Sequence, residues 1–376
     1  MSTLFEPVRI RDLEIRNRFV RSATGDHAAD EKGSVTDTQM KIYKALADGG
    51  IGLIITGITF VHNSGRIMPH QASIASNDCI PGLKKLTKAV HEGGAKIAVQ
   101  LFHAGRAALR SFGGEDQKIL APSFVPGDPY FPYSGTYRAM TEDEVWDLID
   151  AFGDAALRAQ EAGFDAVQLH GAHGYLLSQF LSPFTNLRQD QWGGDDLEAR
   201  LRFHKEVFRD IRRKVGNDYP VLIKLGVQDG FPGGLRFREG KQAAKALAES
   251  GFDALEISHG LRGQGPGATE FRVKIDTVDK EAYFRDWTRQ IKKKVSVPVM
   301  MVGGIRSYEV AEDIISKGEA DFVSMSRPLI REPNLIRDWM EGDRHRATCI
   351  SCNQCLERLI KGKPLCCAQT EGRKKG

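Results

Sequence analysis

Long apolar runs are missing from this sequence. The opening MSTLFEPVRIRDLEIRNRFV carries charge throughout, so it lacks the apolar centre of a signal peptide, and no later window approaches the length of a membrane span. A cytoplasmic protein without a membrane partner is the expectation. Cysteine is scarce over most of the chain: of six, Cys79 alone precedes residue 349. A disulfide framework would be spread through the fold, so a reduced set of thiols is expected. Charge of one sign does not accumulate beyond the Lys292 to Lys294 stretch and the Arg373 to Lys375 end, and the net charge is only +4 over 376 residues. Nucleic acid is therefore not an expected partner. Missing too is a Gly-x-Gly-x-x-Gly turn after the first strand-like run, which argues against a dinucleotide-binding open sheet.

What is present is a rhythm. Short apolar runs at 19–23, 52–56, 97–101, 166–170, 221–225, 254–258, 297–302 and 321–324 alternate with amphipathic segments, as parallel strands covered by helices do. Gly163, Gly251 and Gly318 each precede such a run, and glycine suits the left-handed turn that ends a helix. Thr141 with Glu144 reads as a capping box, followed by Val145, Leu148, Ile149, Phe152 and Ala156 at helical spacing up to Gly163. Eight αβ units predict an α/β fold, a (β/α)8 TIM barrel in a single domain over 1–340, with a short Cys-rich extension over 341–376. The segment 117–140 is the longest apparent loop, readable as a lid or a hairpin. Barrel chemistry sits where strands end and loops begin.

At the end of the fourth run, His170, His173 and Tyr175 fall in one short loop. Two imidazoles can donate to a substrate oxygen and stabilise the charge that develops there, while a phenol can supply a proton. The same residues also read as a His-x-x-His metal pair, or as caps on the helix beginning near Leu176. Composition alone leaves these open.

The run HGAHGYLLSQFLSPFTNLRQDQWGG resembles the signature segment of the old yellow enzyme / NADH:flavin oxidoreductase family. Leu4-Phe-Glu-Pro and Ile15-Arg-Asn-Arg-Phe-Val resemble that family's opening strand. The likeness runs in order over most of the chain. It departs at Trp192, where the family usually has Tyr, at Ala199, where Asn is common, and at Ala23-Thr24-Gly25, which replaces a Pro-containing turn. These changes bear on substrate preference.

The resemblance implies an FMN cofactor, NAD(P)H as reductant and an ene-reductase reaction on an activated alkene such as an enone. His170 and His173 would bind the electron-withdrawing group, and Tyr175 would protonate the carbon beside it. Gln100 is similar to the family glutamine that hydrogen-bonds the pyrimidine edge of the flavin. Lys224, inside an apolar strand, needs an anionic partner, and the N1 and O2 edge of reduced flavin supplies one. The phosphate is expected at Gly303 and Gly304 after the seventh strand and at Ser326 and Arg327 after the eighth. Ser22, Ala23, Thr24 and Ile58 match positions that line the flavin.

The tail pattern Cys349-x2-Cys352-x2-Cys355-x10-Cys366 resembles the four-iron motif of dienoyl-CoA reductase and trimethylamine dehydrogenase relatives. It is one residue shorter before the third Cys and again before the fourth. Thiolates at such spacing bind a [4Fe-4S] cluster or zinc, and a remnant without metal is the third reading. Cys367 is the substitute if the register is shifted. A cluster would call for an external electron partner. Besides a small-molecule substrate, a homo-oligomer is expected. The rival functions are an amine dehydrogenase, a flavin-binding electron carrier and an RNA-modifying flavin barrel. The last would want a catalytic Cys in a barrel loop and a basic RNA-binding domain, and neither is visible.

Overall fold

A computed structural model describes residues 3–108, 119–130, 137–265 and 267–371. Eight strands close into a parallel barrel: β1 (Phe19–Arg21), β2 (Leu53–Phe60), β3 (Lys96–Phe102), β4 (Ala166–Gly171), β5 (Val221–Gly226), β6 (Ala254–Ser258), β7 (Val299–Val302) and β8 (Phe322–Met325). They pair in chain order, and β8 returns to β1. Every expected run overlaps a strand of this barrel, so the sequence rhythm and the architecture agree. The second run is longer than expected, because a register shift between Ile55 and Ile58 lets β2 continue to Phe60.

The αβ punctuation is where the sequence puts it. Gly163, Gly251 and Gly318 all have positive φ, at 83°, 111° and 65°, a region that carries a steric cost for any side chain. Thr141 and Glu144 close a reciprocal capping box on the helix Glu142–Glu161. That helix buries Val145, Leu148, Ile149, Phe152 and Ala156, one stripe at helical spacing.

Inside the barrel, side chains alternate with a period of two. Val20, Leu53, Ala98, Ala166, Leu222 and Phe322 belong to one fully buried apolar cluster, together with Ile10 and Ile15 from the antiparallel hairpin at Val8–Ile10 and Leu13–Ile15. That hairpin plugs the N-terminal end of the barrel. Two residues further along on six of the strands, on the same side, the inward positions become polar: Ser22, Gln100, Gln168, Lys224, Glu256 and Ser324. All six are buried. The switch from a dry layer to a polar one defines the end of the barrel where chemistry is possible.

The long 117–140 segment is not a hairpin. Its described ends, Ile119–Ala121 and Tyr137–Ala139, pair in parallel, and 131–136 lie outside the described residues. Asp128 forms a buried ion pair with Arg106, and Tyr130 stacks on Phe231 at 3.9 Å and 8°. Among the described residues no helix is long and apolar enough to cross a membrane.

Candidate active site

A cavity of about 240 Å³ opens at the polar end of the barrel. Ser22, Ala23, Thr24, Ile58, Gln100 and Lys224 line it, as do His170, His173, Tyr175, Gly304, Ser326 and Arg327. Residues from seven strand ends thus meet on one wall, although they span more than 300 positions in sequence. Gly303 is placed differently: its carbonyl accepts from the backbone N–H of Tyr283 at 3.0 Å.

The loop after β4 brings three rings together. His170 and His173 lie 4.9 Å apart, centroid to centroid, with planes at 87°. Tyr175 stands 5.0 Å from His170 and meets Phe102 edge-on at 4.6 Å. This compactness needs His173 at φ 61° and Gly174 at φ 78°, a tight reversal that returns Tyr175 to the cavity. The helix Leu176–Leu181 then begins at Tyr175 without a side-chain cap.

Both imidazoles are neutral. Burial, then His173 and Lys224, push His170 well below the ordinary imidazole value, and burial, then Lys224 and Arg262, do the same to His173. The Nδ1 of His170 accepts the backbone N–H of Ala172 at 3.3 Å, which leaves the ring proton on Nε2 as a donor. His173 Nε2 shares a hydrogen bond with Ser258 Oγ at 2.8 Å. Its Nδ1 lies 3.9 Å from Glu270. Burial works against ionisation of Glu270, but the charge and hydrogen bonds of Arg262 outweigh it and hold this carboxyl below its ordinary value.

Lys224 requires a correction. Its anionic partner is already in the protein: Nζ lies 3.1 Å from Glu256, which is fully buried on β6. Glu256 escaped the sequence reading, as did Gln168 and Ser324. The period-two alternation would have found all three, since each is the polar residue two places beyond a buried apolar one.

Residues 3–345 match the family model described as NADH:flavin oxidoreductase / NADH oxidase. The chain belongs to that family. It is 39% identical to an NADH oxidase of Thermoanaerobacter brockii over 357 residues, covering 93% of this chain and 52% of the relative. An NADPH dehydrogenase of Geobacillus sp. is 36% identical over 331 residues, 88% of this chain and 91% of the relative. Among solved structures, a 2-naphthoyl-CoA reductase in complex with 2-naphthoyl-CoA superposes with a TM-score of 0.89 at 28% identity, over 97% of this chain and 56% of that one.

For a flavin oxidoreductase the wall must offer polar atoms to a ring and a cradle to a phosphate. Gln100 Oε1 and Ser324 Oγ are buried on it without a hydrogen-bond partner in the protein, a costly state that a polar ligand relieves. Gly304 has φ 76°, and a Cβ there would stand 2.8 Å from the Tyr283 ring, so only glycine leaves the backbone open at this turn. Arg306, unanticipated, also lines the cavity and is buried, with Nε unpartnered. These features fit FMN.

The tail is part of the same wall. Ser351, Asn353, Cys355, Leu356, Leu359 and Leu365 line the cavity. Next to it a smaller space, sharing Arg327, Ile330, Asn353 and Cys355, is lined by Cys349, Cys352, Cys355 and Cys367. The fourth cysteine on this wall is Cys367, where the sequence reading put Cys366. Nη1 of Arg331 approaches Cys367 Sγ at 3.7 Å, and Gln369 Nε2 approaches Cys352 Sγ at 3.8 Å. Among the described residues no three His, Cys, Asp or Glu side chains are arranged to hold one metal ion. The chemistry of the donor set, four unlinked thiols around one space, fits a thiolate-ligated cluster, which is wider than a single ion.

Proposed function

We propose that this chain is an FMN-dependent ene-reductase that uses NAD(P)H to reduce an activated alkene, such as an enone or an enoyl thioester. The observation that carries the reading is the convergence of two neutral imidazoles and a phenol on the cavity that also holds the unpartnered Gln100 Oε1 and Ser324 Oγ. FMN, when bound, relays hydride from NAD(P)H to the substrate. Gln100 and Lys224 would hold its pyrimidine edge, Ser22, Ala23, Thr24 and Ile58 its ring, and Gly304, Ser326, Arg327 and the turn at Gly303 its phosphate.

His170 and His173 would orient the substrate oxygen and donate hydrogen bonds to it as negative charge builds there. Neutral rings suit this role, because a donor that keeps its proton stabilises the charge without quenching it. Tyr175 would deliver its hydroxyl proton to the carbon alpha to the activating group. The test is anaerobic purification followed by assay with 2-cyclohexenone. The reading expects FMN on denaturation and NAD(P)H consumption that depends on the enone; stoichiometric FAD, or consumption indifferent to the enone, would overturn it.

We also infer that Cys349, Cys352, Cys355 and Cys367 hold an iron–sulfur cluster. This wall favours a second reading, oxidation of an amine with electrons leaving through the tail. Reduction of a dye by an amine in the absence of NAD(P)H would decide for it.

A further inference from the structure

Glu256 is fully buried, yet it takes part in a hydrogen-bonded chain that crosses the barrel. Ser22 bridges it to Lys224: the Ser22 hydroxyl accepts from Nζ at 2.8 Å and donates to Glu256 Oε1 at 2.7 Å. Gln168 Nε2 donates to Glu256 Oε2 at 3.0 Å, and Gln100 Nε2 donates to Gln168 Oε1 at 2.7 Å. The direction of this chain is forced. An ionised carboxylate only accepts, so Gln168 must turn its amide NH2 toward Glu256 and its carbonyl toward Gln100. Gln100 must then turn its NH2 toward Gln168. Its carbonyl oxygen is left buried and unpartnered on the cavity wall, an acceptor for a ring N–H.

Charge gives Glu256 a second effect. Beside an oxidised, neutral ring, Lys224 and Glu256 balance each other. Hydride from NAD(P)H brings two electrons and one proton, so the reduced ring gains one negative charge while NAD(P)+ departs. Lys224 would then be shared between two anions, in a place where charges are poorly screened. The carboxylate therefore opposes reduction and leaves the reduced ring a stronger hydride donor.

Resting on the FMN reading above, we propose that Glu256 is a positioning residue for the flavin: it holds the midpoint potential down by neutralising Lys224, and it turns the Gln100 carbonyl toward the ring. Anaerobic redox titration of the holoprotein, with FMN dissociation constants for both redox states, tests this. Glu256→Gln should raise the potential, binding reduced FMN at least tenfold more tightly relative to oxidised FMN, which is about 30 mV for a two-electron couple. Glu256→Asp, which keeps the charge, should stay near wild type. An unchanged or lower potential in Glu256→Gln overturns the proposal, as does equal weakening of both redox states, the mark of a merely structural role. Should that variant not fold, the neutral pair Lys224→Met/Glu256→Gln is compared with Lys224→Met: loss of the carboxylate must raise the potential, and no rise overturns the proposal. Wild-type protein without FMN would sink the cofactor reading and this inference together; a yellow wild type with no shift in the variants sinks this inference alone.

Discussion

Arg327 donates from Nη1 to the side-chain oxygen of Asn353 at 2.6 Å, joining the end of the barrel's last strand to the cysteine tail. The same nitrogen donates to the carbonyl of Arg272 at 2.7 Å. A guanidinium has five N–H donors in a fixed fork, so these bonds position Arg327 and still leave donors for an anion. The tail is also fixed at a second point, where the backbone N–H of Leu365 donates to the carbonyl of Asp26 at 2.8 Å.

Arg327→Ala should weaken FMN retention by about tenfold to a hundredfold, the loss typical of a hydrogen bond to a charged group, while the barrel stays folded. Asn353→Ala separates the two roles, since it frees the tail contact and spares the guanidinium. Flavin fluorescence during dilution measures both. If Arg327→Ala binds FMN as tightly as wild type, the phosphate lies elsewhere.

Tyr175→Phe should divide the catalytic cycle. Loss of a general acid slows the proton-dependent step by about 10² to 10⁴, so turnover with an enone should fall by that factor. Reduction of FMN by NAD(P)H needs no proton from Tyr175 and should be nearly unaffected. Replacing His170 or His173 should instead weaken binding of phenol-like anions, visible as lost charge-transfer absorbance. Stopped-flow measurement of the two half-reactions distinguishes these outcomes, and equal slowing of both would show that Tyr175 shapes the flavin pocket.

Much of this cavity's lining is legible in the sequence. Lys224 is conspicuous because a charge inside Val-Leu-Ile-Lys-Leu breaks the apolar pattern, and Gly304 because a glycine pair follows a strand. Glu256 breaks the pattern of Ala-Leu-Glu-Ile-Ser just as clearly, but its role depends on the parallel register of β6 beside β5, which sets Glu256 opposite Lys224. Arg262, Glu270 and Tyr283 lie on the long connection after β6, whose path no local periodicity specifies. The tail reads as a separate element because its cysteines form a motif of their own. That Leu359 and Leu365 line the cavity is a tertiary fact, set by packing between distant segments.

Acid should destabilise this protein through histidines outside the site. His204 is fully buried in the helix Leu197–Val215, and burial lowers it from 6.5 to about 3. Between those values the unfolded chain binds a proton that the fold does not, so stability is full above pH 6.5 and falls as pH drops toward 3, by about 1.4 kcal/mol per pH unit for one group. His204→Leu, close in volume, should therefore move the acid-unfolding midpoint to lower pH. Circular dichroism against pH measures the midpoint; an unchanged value would mean that His204 takes no part in acid unfolding.

The cysteine wall yields the last prediction, because two adjacent thiols compete for one position. Cys367 faces the space shared by Cys349, Cys352 and Cys355, and Arg331 and Gln369 hydrogen-bond to thiols on that wall. Such donors stabilise thiolates, the form that binds metal. Among the described residues Cys367 lines that space and Cys366 does not, so the two substitutions should differ. Anaerobic wild-type protein should contain about four irons per chain, the count of a four-iron centre, with matching acid-labile sulfide. Cys367→Ser should lose most of that iron, whereas Cys366→Ser should keep it. The reverse result would restore the ligand set read from sequence. One zinc per chain would make the wall a zinc knot, and equal iron loss in both variants would mean that neither register is correct.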